Sequence, residues 1–267
     1  MNPIAELSTE AKRIPERRSE RPRLDPGSPV AGEEGPVPPQ DDAPVLGAAD
    51  LRYAARAERV LDIVISSVAL LVLAPFAVLV AIAILVDSRG PVLYRQLRIG
   101  IDRRGGYLDA DALSRRTADL GGRPFTIYKF RTMRVDAERE TGPVWASPDD
   151  ERVTRVGRVL RRYRVDEMPQ LWNVLRGDMS IVGPRPERPL FVHRLRAEVE
   201  GYPLRHRVRP GITGWAQVNQ EPDQTVDDVK GKLRYDLEYL QRRSVTFDIR
   251  IMIRTLPVMV QRVRLHK

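Results

Sequence analysis

The sequence predicts a mostly helical α+β fold held at a membrane. Three observations carry that prediction. One is an uncharged run of 24 residues, "IVISSVALLVLAPFAVLVAIAILV", at 63–86. The second is a pair of strand-like stretches, 90–100 and 123–133, which together make a small β-hairpin. The third is a series of helical patterns from residue 152 onwards.

Taken from the start, residues 1–50 hold nine of the 22 prolines and no aromatic side chain. Such a composition buries too little apolar surface to offset the entropy of ordering, so these residues are expected to be a disordered Pro-rich tail. No apolar run follows the first residues, so the segment does not read as a secretory signal.

The apolar run is long enough to cross a bilayer as a helix. Pro75 lies at its midpoint, where it removes a backbone hydrogen bond and kinks or breaks the helix. Both flanks are basic: Arg52, Arg56 and Arg59 before it, Arg89, Arg95, Arg98, Arg103 and Arg104 after it. Basic flanks favour the cytoplasmic side. A span puts one of them on the wrong side, whereas a helix broken at Pro75 that dips in and returns keeps both inside. On the residues alone the two readings stand level. Glu58, Arg59 and Asp62 read as an interfacial charge cluster where the chain meets the membrane.

Beyond the run, "GPVLYRQLRIG" and "RPFTIYKFRTM" alternate in the manner of strands. Residues 101–122 between them are polar and glycine-rich at both ends, an inserted loop. Helices are expected over 152–163, 166–176, 188–199 and "VDDVKGKLRYDLEYLQRR". The stretch "GDMSIVGPRPERP" reads as a proline-fixed loop and "VRPGITGWAQVN" as turns. "FDIRIMIRTLPVMVQRVRL" reads either as an amphipathic helix on a surface or as a packed helix with solvated arginines. Trp172 and Trp215 read as packing residues.

There is no cysteine, which excludes disulfides, thiolate metal sites and cysteine nucleophiles. Three scattered histidines offer no metal-ligand spacing. The net charge of +9 suits nucleic acid, an anionic membrane or phosphorylated substrates. Nucleic acid ranks last, because the arginines lack interleaved aromatic residues.

The chemistry centres on "RRYRVDEMPQLWNVLRGD", 161–178. Pro169 is tolerated only in the first turn of a helix, so the helix begins near 165–168, with Asp166 and Glu167 at its N-terminus. The plain reading makes Asp166 an N-cap worth ~1 kcal/mol. The surroundings favour more: Arg161, Arg162, Arg164, Arg185 and Arg209 are available to clamp phosphate. Carboxylates repel a phosphate unless a divalent metal lies between them, which points to Mg²⁺ and phosphoryl transfer with one acid free to attack.

At this point "RVLDIVISSVALLVLAP", "GPVLYRQLRIG", "RPFTIYKFRTM", "DEMPQLWNVLRGDMSIVGPRPE" and "RPGITGWAQVN" resemble, in order, the motifs of the bacterial sugar transferases, and more narrowly the small monotopic polyprenyl-phosphate phosphoglycosyltransferases. The resemblance covers about residues 56–260. It implies transfer of a sugar 1-phosphate from a nucleoside (by family habit uridine) diphosphate sugar to polyprenyl (undecaprenyl) phosphate, the first step of a surface glycan. It also implies a re-entrant helix over 51–88 broken at Pro75. The catalytic domain, 89–267, would then lie on the cytoplasmic face of the inner membrane against anionic lipids.

The same resemblance assigns Asp166 as the nucleophile that forms an aspartyl-phosphosugar, Glu167 as the Mg²⁺ ligand and Asp236 as a further functional acid. The plain alternative for Asp236 is a helix-face pair with Arg234 or Lys232. Lys129, Arg131 and Arg185 become phosphate or nucleotide contacts, with Arg209 beside them. Three departures stand out: Ala74 precedes Pro75 where relatives often have serine, the 101–122 insertion is long, and the chain resembles the short forms without extra membrane helices. The competing reading is a non-catalytic, membrane-tethered scaffold for polysaccharide assembly.

Overall fold

A computed structural model describes residues 48–102, 121–137, 150–220 and 225–265. The expected tail (up to residue 47) and most of the insertion (103–120) lie outside the described residues. Within them the protein is mostly helical with a small strand content.

Helix α1 runs Ala48–Asp87 with Pro75 inside it. Its segment Ala55–Asp87 is long and apolar enough to cross a membrane, and only 11% of its most apolar window is buried in the protein. The expected break at Pro75 is not a gap between two helices: helical structure continues through it. Both ends of α1 are fastened to the rest of the chain. Near its start, Arg59 donates to the carbonyls of Val174 and Leu175, and Asp62 accepts from Ser180 Oγ at 2.9 Å and from the Ile181 amide at 2.8 Å. Glu58 pairs with Arg243. Glu58 and Asp62, expected as a charge cluster where the chain meets the membrane, are buried and bonded within the protein. Near its end, Val80 and Ile84 pack with Phe130 and Leu160, and Asp87 accepts from the Val156 amide at 3.0 Å.

Strands β1 (Leu93–Ile99) and β2 (Pro124–Phe130) pair antiparallel, with Leu93 opposite Phe130 and Ile99 opposite Pro124. Helix α2 (Arg155–Arg162) starts at Thr154, whose side chain accepts from the Gly157 amide. A 3₁₀ turn, Val165–Glu167, precedes α3 (Gln170–Arg176), β3 (Ser180–Val182) and α4 (Pro189–Glu198). After a second 3₁₀ turn come β4 (Gly211–Thr213), α5 (Trp215–Asn219), α6 (Val226–Arg242) and α7 (Val245–Leu265).

The proline-fixed loop and the turn-rich stretch of the sequence reading thus contain two short strands, β3 and β4, which pair in parallel. Glycine makes that pairing possible: a Cβ on Gly211 would lie 2.1 Å from the Gly183 nitrogen. Clusters around Val192–Leu233 and around Tyr239–Phe247–Ile251 pack α4, α6 and α7 behind this pair. Helix α7 is apolar on two faces. Phe247 and Ile251 are buried, while Ile249, Ile253 and Leu256 are exposed. Trp215 packs inside, as expected, but Trp172 is 51% exposed and is no core residue.

Candidate active site

Tyr163 ends α2 and Arg164 then takes a left-handed conformation, φ 54°. That reversal winds the next three residues into the 3₁₀ turn and swings Asp166 and Glu167 under β2. The expected cap is corrected here. Arg164, not Asp166, occupies the N-cap position of the turn, Pro169 that of α3, and neither supplies a side-chain cap. Both acids are buried, with 9% and 6% exposure.

Their electrostatics differ. Glu167 is clamped by three cations: its Oε1 accepts from Lys129 Nζ at 3.1 Å and Arg185 at 3.0 Å, and its Oε2 from Arg164 at 2.5 Å. Burial alone would raise its pKa, but Arg185, Lys129 and Arg164 together outweigh it and hold the carboxyl well below its usual range. Asp166 accepts no side-chain or backbone hydrogen bond from the described residues. Burial raises its pKa, Lys129 opposes this, and the neighbouring Glu167 charge adds to the rise. Burial also lowers the pKa of Lys129.

Both acids face a cavity of about 1130 Å³. Eleven arginine and lysine side chains line it against three carboxylates, Asp166, Glu167 and Glu187. Arg95, Arg98, Arg134, Arg152, Arg188 and Lys232 are among those cations, and sequence reasoning assigned none of them to this site. Nothing but the fold distinguishes them from the other arginines. Glu187 was also missed. It holds Lys232 at 3.0 Å and Arg98 at 3.6 Å; burial would raise its pKa, but Lys232, Arg98 and Arg205 bring it down to about 2.

The remaining expected residues divide. Lys129 and Arg185 join the acids directly. Arg131 lines the cavity, yet its guanidinium donates to the carbonyls of Arg89 (2.7 Å) and Ser88 (2.6 Å), tying down the chain just after α1. Gly90 makes room for it, with φ 126° and a Cβ position only 2.1 Å from Arg131 Nη1. Asp236 lies outside the cavity lining, 2% exposed, and pairs with buried Arg205 at 2.9 Å. Arg205 in turn donates to Tyr202 Oη and to the carbonyl of Arg185. Asp236 thus reaches the site through the backbone of Arg185. Arg209 is not part of the cavity lining; its charge acts on Glu58 and Asp62 instead.

The class the chain presents is a mostly helical protein with one helix long and apolar enough to cross a membrane and a cation-lined cavity in which Glu167 is clamped and Asp166 accepts no hydrogen bond from the described residues. Comparison with known proteins gives that class a family. The family described as Bacterial sugar transferase matches residues 53–262, and the chain belongs to it.

Among its relatives is a UDP-glucose:undecaprenyl-phosphate glucose-1-phosphate transferase of Escherichia coli (strain K12), 40% identical over 82% of this chain and 42% of its own length. An enzyme of the same name from Caulobacter vibrioides is 41% identical over 79% of this chain and 70% of its own. The exopolysaccharide production protein PSS of Rhizobium leguminosarum bv. phaseoli is 37% identical over 74% of this chain and 92% of its own. The chain spans less than half the length of several relatives that it matches.

Proposed function

We propose that the protein is a phosphoglycosyltransferase that moves a sugar 1-phosphate from a nucleoside diphosphate sugar to polyprenyl phosphate. The observation that carries this reading is the unequal treatment of the two acids. Three cations occupy the oxygens of Glu167, which leaves Asp166 as the carboxylate free to attack. The names of the relatives, transferases acting on UDP-sugars and undecaprenyl phosphate, supply the substrate classes.

In this reading the cations around the cavity hold the diphosphate. An Oδ of Asp166 attacks the β-phosphorus, the bond from that phosphorus to the bridging oxygen breaks, and nucleoside monophosphate leaves with its electron pair. An oxygen of the lipid phosphate then attacks the same phosphorus. The Oδ–P bond breaks and the carboxylate of Asp166 is restored. Arg164, Lys129 and Arg185 hold Glu167 in place beside these events, and Arg205 and Asp236 steady the backbone of Arg185.

The residues fit Mg²⁺ as a substrate-carried ion, which needs one or two carboxylates plus phosphate oxygens and no protein cage. Asp166 and Glu167 offer such a pair, and no group of three or more candidate ligands exists among the described residues. Glu167, the expected ligand, could hold the ion only where one of the cations on its oxygens, Lys129, Arg185 or Arg164, gave way to it; the ion's charge would then offset that developing on the diphosphate.

We also infer that α1 enters the membrane and returns, with the catalytic domain on the cytoplasmic face. Support comes from its fastenings: residues 58–62 and residues 80–87 both bond or pack to the same folded body. Cysteine tags at positions 48 and 102 should react from the cytoplasmic side only; labelling from opposite sides would mean a span. For the chemistry, Asp166→Asn should abolish release of nucleoside monophosphate and covalent labelling by a donor radioactive in its β-phosphate. Turnover by that variant would refute the nucleophile.

A further inference from the structure

The Arg164–Glu167 ion pair has a second hollow on its other side, of about 200 Å³. Arg164, Glu167 and Gln217 line both spaces, so the two adjoin at the charged pair. The other walls are almost entirely apolar: Met168 and Leu171, Ile212, Val218, and Val258 and Met259 of α7. Thr213 and Thr255 add the only hydroxyls among the described residues, and these bond each other at 2.7 Å, with Thr255 also bonded to the Ile251 carbonyl.

We propose that this hollow holds the first isoprenoid units of the lipid-phosphate acceptor, with the phosphate received by Arg164 at its charged end. The proposal rests on the phosphoglycosyl transfer reading above. A nucleotide sugar is an unsuitable occupant, because its hydroxyl and amide groups would lose their hydrogen bonds against these walls. An isoprenoid chain gains about 0.8 kcal/mol per buried methylene there, and two methionines can adapt to its branches.

Continuity with the apolar exterior supports the same occupant. On α7, Ile253 and Leu256 are exposed just before Val258 and Met259; on α3, exposed Trp172 follows Leu171. A tail leaving the hollow therefore meets apolar surface on both sides, not bare solvent. Its head lies against the ion pair that borders Asp166.

The test uses the full chain in detergent with a polyprenyl phosphate carrying a diazirine on its first isoprene unit. Photolysis should label peptides containing Met168–Leu171 or Val258–Met259, and unlabelled polyprenyl phosphate should compete where phosphatidylglycerol does not. Val218→Trp, which fills the hollow, should raise KM for polyprenyl phosphate about tenfold, equivalent to roughly two buried methylenes lost. KM for the nucleotide sugar should stay within about twofold. Label confined to other segments, equal competition by phosphatidylglycerol, or an unchanged acceptor KM in a variant of wild-type Tm would overturn the assignment. Failure of the wild type to release nucleoside monophosphate would instead count against the transferase reading, since crosslinking reports on the hollow without turnover.

Discussion

Replacing Asp236 with Asn separates a structural acid from a chemical one. Arg205 is buried at 3% exposure, and Asp236 at 2.9 Å is its charge partner, on a helix 31 residues further along the chain. Without the carboxylate, Arg205 keeps Tyr202 Oη, the Arg185 carbonyl and the nearby charge of Glu187 but loses the carboxylate bonded to it. Breaking a buried pair from one side costs about 3–5 kcal/mol. For a folded body of this size that corresponds to a fall in Tm of about 6–20 °C. The assay is thermal unfolding of the purified protein in detergent, with nucleoside monophosphate release measured well below either Tm. The double variant Asp236→Asn, Arg205→Met should recover much of the loss, because it removes the stranded charge as well. A destabilisation below about 1 kcal/mol together with lost turnover would refute the reasoning and place Asp236 in the chemistry.

Three further outcomes are expected. Arg131→Ala frees the carbonyls of Ser88 and Arg89 and should destabilise the protein by about 3 kcal/mol, from two charge-assisted hydrogen bonds, read by the same unfolding assay. Burial, with Glu58 nearby, pushes the pKa of Asp248 up to about 7, so the folded state holds a proton that the unfolded chain gives up above about pH 4. Stability should accordingly fall as pH rises from about 4 to 7 and flatten above it, and Asp248→Asn should remove that part of the slope in a pH series of unfolding curves. Chelation with EDTA should abolish nucleoside monophosphate release, and added Mg²⁺ should restore it; activity that survives chelation would remove the ion from the reading.

Several elements were legible because their periodicity is local. Strands β1 and β2 and helices α2, α4 and α6 lie where alternation or helical spacing put them, and Pro169 correctly located the start of α3 within a few residues. The parallel pair β3–β4 was not legible. Each strand has only three residues, too few to show a period, and the pairing depends on backbone contact at Gly211 with a loop 28 positions earlier.

The site shows the same limit. The sequence brought out Asp166, Glu167, Lys129 and Arg185, which the fold does assemble. It could not separate the two acids by their partners, since two of the three cations on Glu167 arrive from β2 and from the loop after β3. Nor could it tell that Arg131 would be drawn to the chain after α1, or that Arg209 would lie outside the cavity lining, because an arginine's surroundings are chosen by tertiary packing.

The fastening of α1 has a mechanical consequence. Val80 and Ile84 pack in one cluster with Phe130, Leu160 and Met168, and Met168 is two residues from the free carboxylate. The packed half of α1 and the turn that carries Asp166 are therefore joined through one cluster. With α1 seated in a bilayer, the depth of that helix sets the height of Asp166 above the lipid. Under the transfer proposed above, membrane thickness would then be a variable of the reaction, through the small free energies of hydrophobic mismatch. In that reading, an acceptor whose phosphate rides at the headgroup level would be met at a height that the bilayer itself determines.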